Sequence, residues 1–527
     1  MSTTTARRRA PDRRRPVGAR GIRGAGGGRP AFVPVPLRWR GTTRHVCGMY
    51  PWTSPGRLPL VGTPIGRHQW SGEPFCFDHI NWFDAGFLSN PSVTILARPG
   101  LGKSTLAIKI MMGLVAQGYI LLVPGDTKPD YTELIRQLGG EIRTVKRSGG
   151  WAFNPCDPGG MVAASWQLHD AAAAATAARE QELSTAGREL FAEAIGRSVT
   201  VLAGLIELSR RSSGVADYEE SVLAAALRHL HIARAAGDPE PVIDDLITLI
   251  RQRHNCIWQE LELEPDEVEE YDRLTRPLRR SLRALIGGKF GDVFARPASR
   301  QAFPNAMVID TSSIKSGDSR FLAAVLLAAW GDTYAQVEAD QALADAGLAV
   351  RRLYCLTLDE LWRVMDLGGS LPERVNETTR LNRGQGIGQI MISHSIADIN
   401  ETGKGTTDGM VERAGALIIG GTTKKEIARL DDVVTLTGSE RSEISRWWSI
   451  SQAAMTEPER DQDGRLIRKP PPGAGKFLIK ASAEEPGIPI DVTLTSVERD
   501  WGGQRTSARF DRDPHPTPDT REQEPAA

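Results

Sequence analysis

A glycine-rich loop between two apolar, strand-like runs limits the possible folds of this chain. The segment SVTILARPGLGKSTLAIKIMMGLVAQGYILLVPGD extends from Ser92 to Asp126. Its first run, SVTILA, is short and rich in β-branched residues, and YILLVPGD is a second buried strand. Between them, apolar residues recur at helical spacing up to Gly118. A strand–loop–helix–strand unit requires a mainly parallel sheet covered by helices, so we predict an α/β fold.

The loop itself, LARPGLGKST, matches the phosphate-binding pattern G-x-x-x-x-G-K-[ST] except at its first position, where Ala97 replaces glycine. In such a loop, backbone N–H groups at a helix N-terminus converge on phosphate oxygens. Lys103 is placed to reach the β- and γ-phosphates, and the Ser104 hydroxyl to ligate Mg²⁺. We therefore predict a nucleotide site formed by Ala97, Arg98, Pro99, Gly100, Leu101, Gly102, Lys103, Ser104 and Thr105.

A second apolar run, LYCLTLDELW, ends in the acidic pair Asp359 and Glu360. In a nucleotide-hydrolysing site, the aspartate of such a pair supports the Mg²⁺ shell and the glutamate polarises the attacking water. Acidic pairs at strand ends are also common as ordinary solvated groups. Their combination with the Lys103 loop in one α/β domain favours the catalytic interpretation, with Asp359 at the metal and Glu360 as the water activator.

A third segment, RLNRGQGIGQIMISHSIAD, brings a strand into Ser393 and His394. His394 is placed to sense the γ-phosphate. The alternative is a structural role, as a histidine at a strand end whose hydrogen bonds are satisfied within the fold. Arg380 and Arg383 precede this strand. We predict Arg383 as an arginine finger that reaches the site of a neighbouring subunit. The alternative is that Arg383 simply lies on a solvent-exposed helix face.

Composition and periodicity divide the chain into five regions. Between the two parts of the core lies a stretch rich in Ala, Leu, Glu and Arg with helical periodicity, which predicts an all-helical insertion. The predicted regions are a disordered Arg/Gly/Pro-rich tail (1–48), the lead-in and first part of the core (49–162), the helical insertion (163–296), the second part of the core with C-terminal strands (297–501) and a disordered tail (502–527). Further strands are predicted at Asn305–Ile314, Arg352–Glu360, Ile387–Ser395, Gly415–Gly421, GKFLIKA and GIPIDVTLT.

Charge and cysteine usage limit the classes of partner and compartment. Lys+Arg and Asp+Glu balance at 65 each, so net charge indicates no partner. The arginine-rich N-terminal tail has a single acid, Asp12, and a Met49 start would remove it. Five scattered cysteines without a C-x-x-C spacing argue against a disulfide framework and a zinc site, and fit a reducing cytoplasm. The longest apolar run, Phe321–Trp330, is about half a membrane span, so no integral membrane segment is expected.

Several of these segments, taken in order, resemble one family: the ATPases of type IV secretion and conjugation machines, the CagE/TrbE/VirB class of the HerA/FtsK superfamily of hexameric motors. The likeness runs from about Val61 to Glu498. It includes the lead-in VGTPIGRHQWSGEPFCFDHINWF, the segment VPGDTKPDYTELIRQLGG with Asp126, Lys128 and Tyr131, and LTLDELWRVM, NRGQGIGQIMISHSIAD and GAGKFLIKA. The resemblance implies a RecA-like P-loop NTPase core. A large helical insertion accounts for the roughly 250 residues between Lys103 and Asp359.

Three departures from the family pattern stand out. Ala97 replaces the first glycine of the phosphate loop, a change that relaxed versions of the motif allow. Ser393-His394 stands where the family usually has Thr-Gln, and an imidazole changes charge with pH where an amide does not. The large N-terminal domain that these ATPases usually carry is not recognisable before about Leu60.

The resemblance implies an ATP-hydrolysing motor that powers DNA or protein transfer, or assembly of the apparatus. It further implies Mg²⁺-dependent ATP sites in a homo-hexamer, membrane components of a secretion or conjugation system as partners, DNA as a candidate partner, and a cytoplasmic location at the inner face of the cell membrane through those partners. Two alternatives stay open. One is a soluble DNA translocase or helicase of the same superfamily, and the other is a nucleotide-binding assembly factor that hydrolyses ATP weakly or not at all.

Overall fold

A computed structural model describes most of the chain from Leu58 to Trp501, and every structural statement below refers to these residues. The described ranges are 58–210, 214–234, 239–288, 290–299, 305–314, 317–359, 386–394, 414–448 and 473–501. None of the helices in these ranges combines the length and the apolar character needed to cross a bilayer.

The described residues form one sheet of eleven strands in the order β2-β1-β11-β10-β9-β3-β8-β7-β4-β6-β5. The strands are Pro64–His68 (β1), Pro74–Cys76 (β2), Ser92–Leu96 (β3), Ile120–Asp126 (β4), Glu141–Thr144 (β5), Ala306–Asp310 (β6), Tyr354–Leu358 (β7), Ile387–Ser393 (β8), Ala416–Ile419 (β9), Lys476–Lys480 (β10) and Ile488–Val492 (β11). From β9 to β5 every pairing is parallel. The pairings at the other end, from β9 through β10, β11 and β1 to β2, are antiparallel.

The helices cover both faces of this sheet. They are His79–Asp84 (α1), Lys103–Ala116 (α2), Thr132–Gln137 (α3), Met161–Ala173 (α4), Ala177–Arg210 (α5), Asp217–Ala233 (α6), Ile243–Arg251 (α7), Asn255–Glu260 (α8), Val268–Gly287 (α9), Gly291–Phe294 (α10), Ser319–Asp345 (α11), Lys424–Asp431 (α12), Gly438–Trp447 (α13) and Ser496–Trp501 (α14). The fold is therefore α/β with a mainly parallel sheet.

Alternation along the central strands builds two separate hydrophobic cores. In β4, Ile120 and Leu122 contribute to one core and Leu121 and Val123 to the other, because successive side chains of a strand point to opposite faces. The second core contains α1, α2 and α3 residues, whereas the first contains residues of α5 to α11. Both faces of β4 are thus buried, as expected of a strand in a covered parallel sheet.

The large helical insertion lies between β5 and β6, and it shares its core with the sheet. Helices α4 to α10 occupy this interval. Leu202 and Leu205 of α5 belong to the same buried cluster as Leu326 and Trp330 of α11 and as Leu122 of β4. The insertion is therefore packed through α11 onto one face of the sheet.

The six strands predicted after the insertion are all present, as β6 to β11. The sequence analysis did not identify Glu141–Thr144 as a strand, because this short edge strand of mixed polarity has no clear apolar alternation. The apolar run Phe321–Trp330 is part of α11. Nearly every residue of this helix from Phe321 to Ala339 is buried, so it is covered on all sides there.

Candidate nucleotide-binding site

The glycine-rich loop connects the end of β3 at Leu96 to the start of α2 at Lys103. Gly100 and Gly102 have φ values of 82° and 95°, in the left-handed region. A Cβ at Gly100 would meet nothing within 4 Å, and one at Gly102 would meet nothing closer than 3.7 Å. The glycines are required here by backbone conformation rather than by space, because L side chains rarely adopt such φ values.

Ala97, the departure from the motif, is buried and packs against the neighbouring parallel strand. A Cβ added at Gly420, just after β9, would lie 2.5 Å from the Ala97 Cβ and 3.1 Å from the Phe477 ring. The methyl group of Ala97 therefore fills space that Gly420 leaves open. The alanine is accommodated because the residue across from it has no side chain.

The rest of the loop is tied to the antiparallel end of the sheet. The Arg98 backbone N–H donates to the Gly421 carbonyl at 3.2 Å, and the Leu101 carbonyl accepts from the Gly475 N–H at 3.0 Å. The Arg98 guanidinium lies 4.8 Å from the centre of the Trp448 ring, a cation–π contact. These contacts fix the loop against residues that follow β9 and α13 and that precede β10.

Lys103, the first residue of α2, is buried and folds back over the loop. Its ammonium group donates a 2.6 Å hydrogen bond to the Ala97 carbonyl and lies 2.8 Å from Nδ1 of His394. His394 follows β8 directly, and β8 pairs with β3 in parallel. The two predicted residues are 291 positions apart in sequence and meet at the phosphate loop. In this contact the imidazole is the acceptor, which requires an unprotonated Nδ1.

On the other side of the α2 N-terminus, Ser104 contacts a group of aspartates. The Ser104 hydroxyl donates to Asp130 at 3.1 Å. Burial raises the pKa of the Asp130 carboxyl to about 6, with a further contribution from the negative charges of Asp126 and Asp359. The Tyr131 hydroxyl donates to the Asp359 carboxylate at 3.1 Å. Ser104, Asp130, Tyr131 and Asp359 thus form a continuous polar group next to the loop.

Asp126 organises the backbone that carries these side chains. Its carboxylate, at the end of β4, accepts hydrogen bonds from the backbone N–H groups of Lys128, Asp130, Tyr131 and Thr132. Burial raises the Asp126 pKa, although these hydrogen bonds oppose the shift. Asp126 is therefore a positioning residue that fixes the turn from which Asp130 and Tyr131 reach the site.

The chemistry of this group fits a hard divalent cation. One hydroxyl and two carboxylates supply oxygen ligands, which Mg²⁺ prefers. Nearby negative charges and burial raise the pKa of a carboxyl group, and a bound cation would offset this repulsion and stabilise the carboxylate form. Ser104, Asp130 and Asp359 are the residues that would hold Mg²⁺ here.

The predicted site residues divide into three groups. The loop residues from Ala97 to Thr105 surround the N-terminus of α2, and His394 contacts Lys103 there. Asp359 lies beside Tyr131, on the side of Ser104. Glu360, Arg380 and Arg383 lie outside the described residues, so their roles stay predictions.

Asp130 is the site residue that the sequence analysis missed. Tyr131 was noted only through the family resemblance, and Asp130 was not noted at all. The available signal was a second aspartate four residues after the strand-end Asp126, since residues that follow parallel strands gather at the carboxyl edge of the sheet, where ligands bind.

Comparisons with known proteins show the fold. No protein-family model and no curated protein matches the chain. Among solved structures, VirB4 of Thermoanaerobacter pseudethanolicus is similar with a TM-score of 0.56 and 17% identity, over 83% of this chain and 98% of that one. Two structures of the plasmid coupling protein TrwB are also similar. The complex with ADP and Mg²⁺ has a TM-score of 0.43 and 12% identity, over 82% of this chain and 89% of that one. The complex with the non-hydrolysable ATP analogue ADPNP has a TM-score of 0.46 and 11% identity, over 85% and 97%.

The likeness to VirB4 confirms the fold that the family resemblance implied. The chain has an α/β core of the RecA-like P-loop type with a large helical insertion, and it has this fold over nearly the whole of the VirB4 structure.

Proposed function

We propose that the protein is an ATP-hydrolysing motor whose nucleotide site is built on the Ala97–Thr105 loop. The observation that carries the proposal is the position of the Lys103 ammonium. It lies inside the loop, held by the Ala97 carbonyl and by His394, at the N-terminus of a fourteen-residue helix. A positive side chain, oriented N–H groups and a helix N-terminus together favour a polyphosphate.

The residues have separate roles in this proposal. Lys103 leaves the Ala97 carbonyl for the β- and γ-phosphates, and Ser104 and Asp359 would hold Mg²⁺ together with Asp130. Mg²⁺, when bound, neutralises charge on the phosphate oxygens. Glu360, next to Asp359 in sequence, orients and deprotonates the attacking water. His394 exchanges its contact with Lys103 for one with the terminal phosphate. Arg383 reaches the site from a neighbouring subunit.

The work that this hydrolysis drives is type IV secretion or conjugation. The proposal is supported by the ordered resemblance from Val61 to Glu498 and by the fold shared with VirB4. It includes assembly as a homo-hexamer with sites between subunits, and docking onto membrane components of the apparatus at the inner face of the cell membrane.

The test is steady-state ATP turnover by the purified chain with and without double-stranded DNA, with Glu360→Gln as the background. We expect wild-type turnover well above the Glu360→Gln rate and unchanged by DNA, since the described residues carry no recognised nucleic-acid-reading motif. Strong stimulation by DNA would instead indicate a translocase. Wild-type turnover equal to the Glu360→Gln background would indicate a nucleotide-binding assembly factor and overturn the motor proposal.

A further inference from the structure

A second cluster of ligand-type side chains lies in the helical insertion, away from the nucleotide loop. It consists of His229 on α6, His254 directly before α8, and Cys256 in the first turn of α8. One potential ligand atom from each residue lies within 4.8 Å of the other two. The His254 Nδ1 and Cys256 Sγ atoms are 3.2 Å apart. The centres of the two imidazole rings are 3.9 Å apart.

The turn that carries His254 is held in a fixed conformation. Arg253, the residue before it, has a φ of 55°, which is uncommon for a residue with a side chain. The Arg253 carbonyl accepts from the Trp258 indole N–H at 3.0 Å, and the Arg253 guanidinium pairs with Asp272 of α9 at 2.8 Å. These contacts offset the cost of the backbone conformation and set His254 and Cys256 facing α6.

An ordinary helix cap explains only part of this arrangement. The His254 side chain accepts from the Cys256 N–H at 3.3 Å, as a capping residue does. The cap does not require a thiol beside the imidazole, nor a second imidazole from another helix. Two imidazoles and a thiol converging from α6 and α8 are the donor set of a borderline-soft metal ion.

The distances suit a tetrahedral zinc ion. Zn–N bonds of about 2.1 Å and Zn–S bonds of about 2.3 Å place neighbouring ligand atoms roughly 3.5 Å apart. The His254–Cys256 separation of 3.2 Å is near this value, and the remaining pairs, which lie within 4.8 Å, approach it by side-chain rotation. To bind through Nδ1, His254 would give up its hydrogen bond from the Cys256 N–H. All three residues are partly exposed, so an ion can enter.

We propose that His229, His254 and Cys256 form a zinc site that links α6 to α8 in the helical insertion, with the fourth coordination position open to water. The site is independent of the nucleotide site and of the proposed motor function. The sequence gives no C-x-x-C spacing and so predicts no zinc site. That spacing cannot reveal a site that takes one ligand from a separate helix.

The experiment is Zn²⁺ titration of the full-length chain by calorimetry without nucleotide, together with thermal melting in Zn²⁺ and in Mg²⁺. We expect one Zn²⁺ per chain and a higher melting temperature in Zn²⁺ but not in Mg²⁺, because binding to the folded state alone stabilises it. Cys256→Ser and His229→Phe should each weaken binding at least about tenfold, since the loss of a group that only supports a metal ligand already costs about that much affinity. The phenylalanine keeps a ring against His254 without a ligand nitrogen.

Cys76→Ser is the matched control, because Cys76 is another partly exposed free thiol that lies in β2. It should bind Zn²⁺ as the wild type does. Co²⁺ added to the wild type should give a thiolate-to-metal charge-transfer band that Cys76→Ser retains and Cys256→Ser loses. The proposal is wrong if the wild type gives no such band. It is also wrong if Cys256→Ser and His229→Phe bind Zn²⁺ with the wild-type affinity, because that result would indicate an adventitious ion only.

Discussion

At the scale of single residues, the methyl group of Ala97 and the missing side chain of Gly420 form one packing unit. Gly420→Ala should place two Cβ atoms 2.5 Å apart and destabilise the fold by about 1–3 kcal/mol through overpacking. Ala97→Gly alone should cost about 1 kcal/mol, because it empties this buried space and frees the backbone. In the Gly420→Ala background, however, Ala97→Gly should recover most of the loss, which urea unfolding of the four proteins would measure. Strictly additive effects would show that the two positions do not share this space.

Asp130 is the residue whose role the structure adds to the site. Asp130→Asn keeps an acceptor for the Ser104 hydroxyl but removes the negative charge that attracts a cation. We expect the Mg²⁺ concentration for half-maximal ATP turnover to rise about tenfold, as for residues around metal sites, with a smaller loss at saturating Mg²⁺. Asp84→Asn is the control, because Asp84 is an exposed aspartate of α1 outside the site, and it should leave the Mg²⁺ dependence unchanged. An unchanged Mg²⁺ dependence in Asp130→Asn would remove the residue from the site.

Among single residues, those that belong to one contiguous motif were predictable from the sequence. The glycines, Lys103 and Ser104 follow from a contiguous pattern. The contact between Lys103 and His394 depends on the parallel pairing of β3 with β8, and Asp130 depends on the turn that Asp126 organises. Contacts of this kind are set by strand order, which local sequence does not encode.

At the scale of elements, α1 makes the fold sensitive to acid. His79 is fully buried in this helix, and neither of its ring nitrogens has a hydrogen-bond partner among the described residues. Burial lowers the His79 pKa from 6.5 to about 4, although the nearby Asp78 charge opposes the shift. The unfolded chain therefore takes up the proton first, so the contribution of His79 to stability is complete above pH 6.5 and is lost as the pH falls towards 4.

His79→Leu should reduce this acid sensitivity. Between pH 7 and pH 5 the wild type should lose about 2 kcal/mol more unfolding free energy than the variant. Urea unfolding of both proteins at the two pH values measures the difference, and the comparison cancels the titration of other groups. Equal losses in the two proteins would show that His79 does not titrate as its burial requires.

A buried ion pair links the helix after the phosphate loop to α14. Lys109 of α2 contacts both carboxylate oxygens of Glu498, at 2.7 and 2.9 Å, and both side chains are buried. Lys109→Met should cost about 3–5 kcal/mol, because it leaves a buried carboxylate unpaired. The exposed pair Arg136–Glu133 is the control, and Arg136→Ala should cost less than about 1 kcal/mol. Equal costs in a urea titration would contradict the assigned burial of the α2–α14 pair.

Among the elements, strongly apolar strands were predictable and weakly patterned ones were not. β4, β6, β7 and β8 are short apolar runs buried on both faces, and the sequence marks them clearly. β5 lies at the sheet edge with mixed polarity, and its strand conformation comes from pairing with β6. Such a strand is decided by tertiary contacts rather than by its own residues.

At the scale of the whole molecule, the helical insertion and the sheet are parts of one core. Residues of α5, α9 and α11 share a buried cluster with β4, β6 and β7. The sequence showed that a helical segment separates the two halves of the core, since its periodicity changes there. It did not show that the segment packs back onto the sheet, because a helical stripe does not specify its partner surface.

The proposed motor uses ATP bound at Lys103, and steady-state ATP turnover of Lys103→Ala beside the wild type tests this directly. The control is Lys425→Ala, which removes an exposed lysine of α12. We expect measurable Mg²⁺-dependent turnover in the wild type and in Lys425→Ala, and none above background in Lys103→Ala, which should still fold. Wild-type turnover in a folded Lys103→Ala protein would contradict the proposed site, because hydrolysis would then come from somewhere other than this loop.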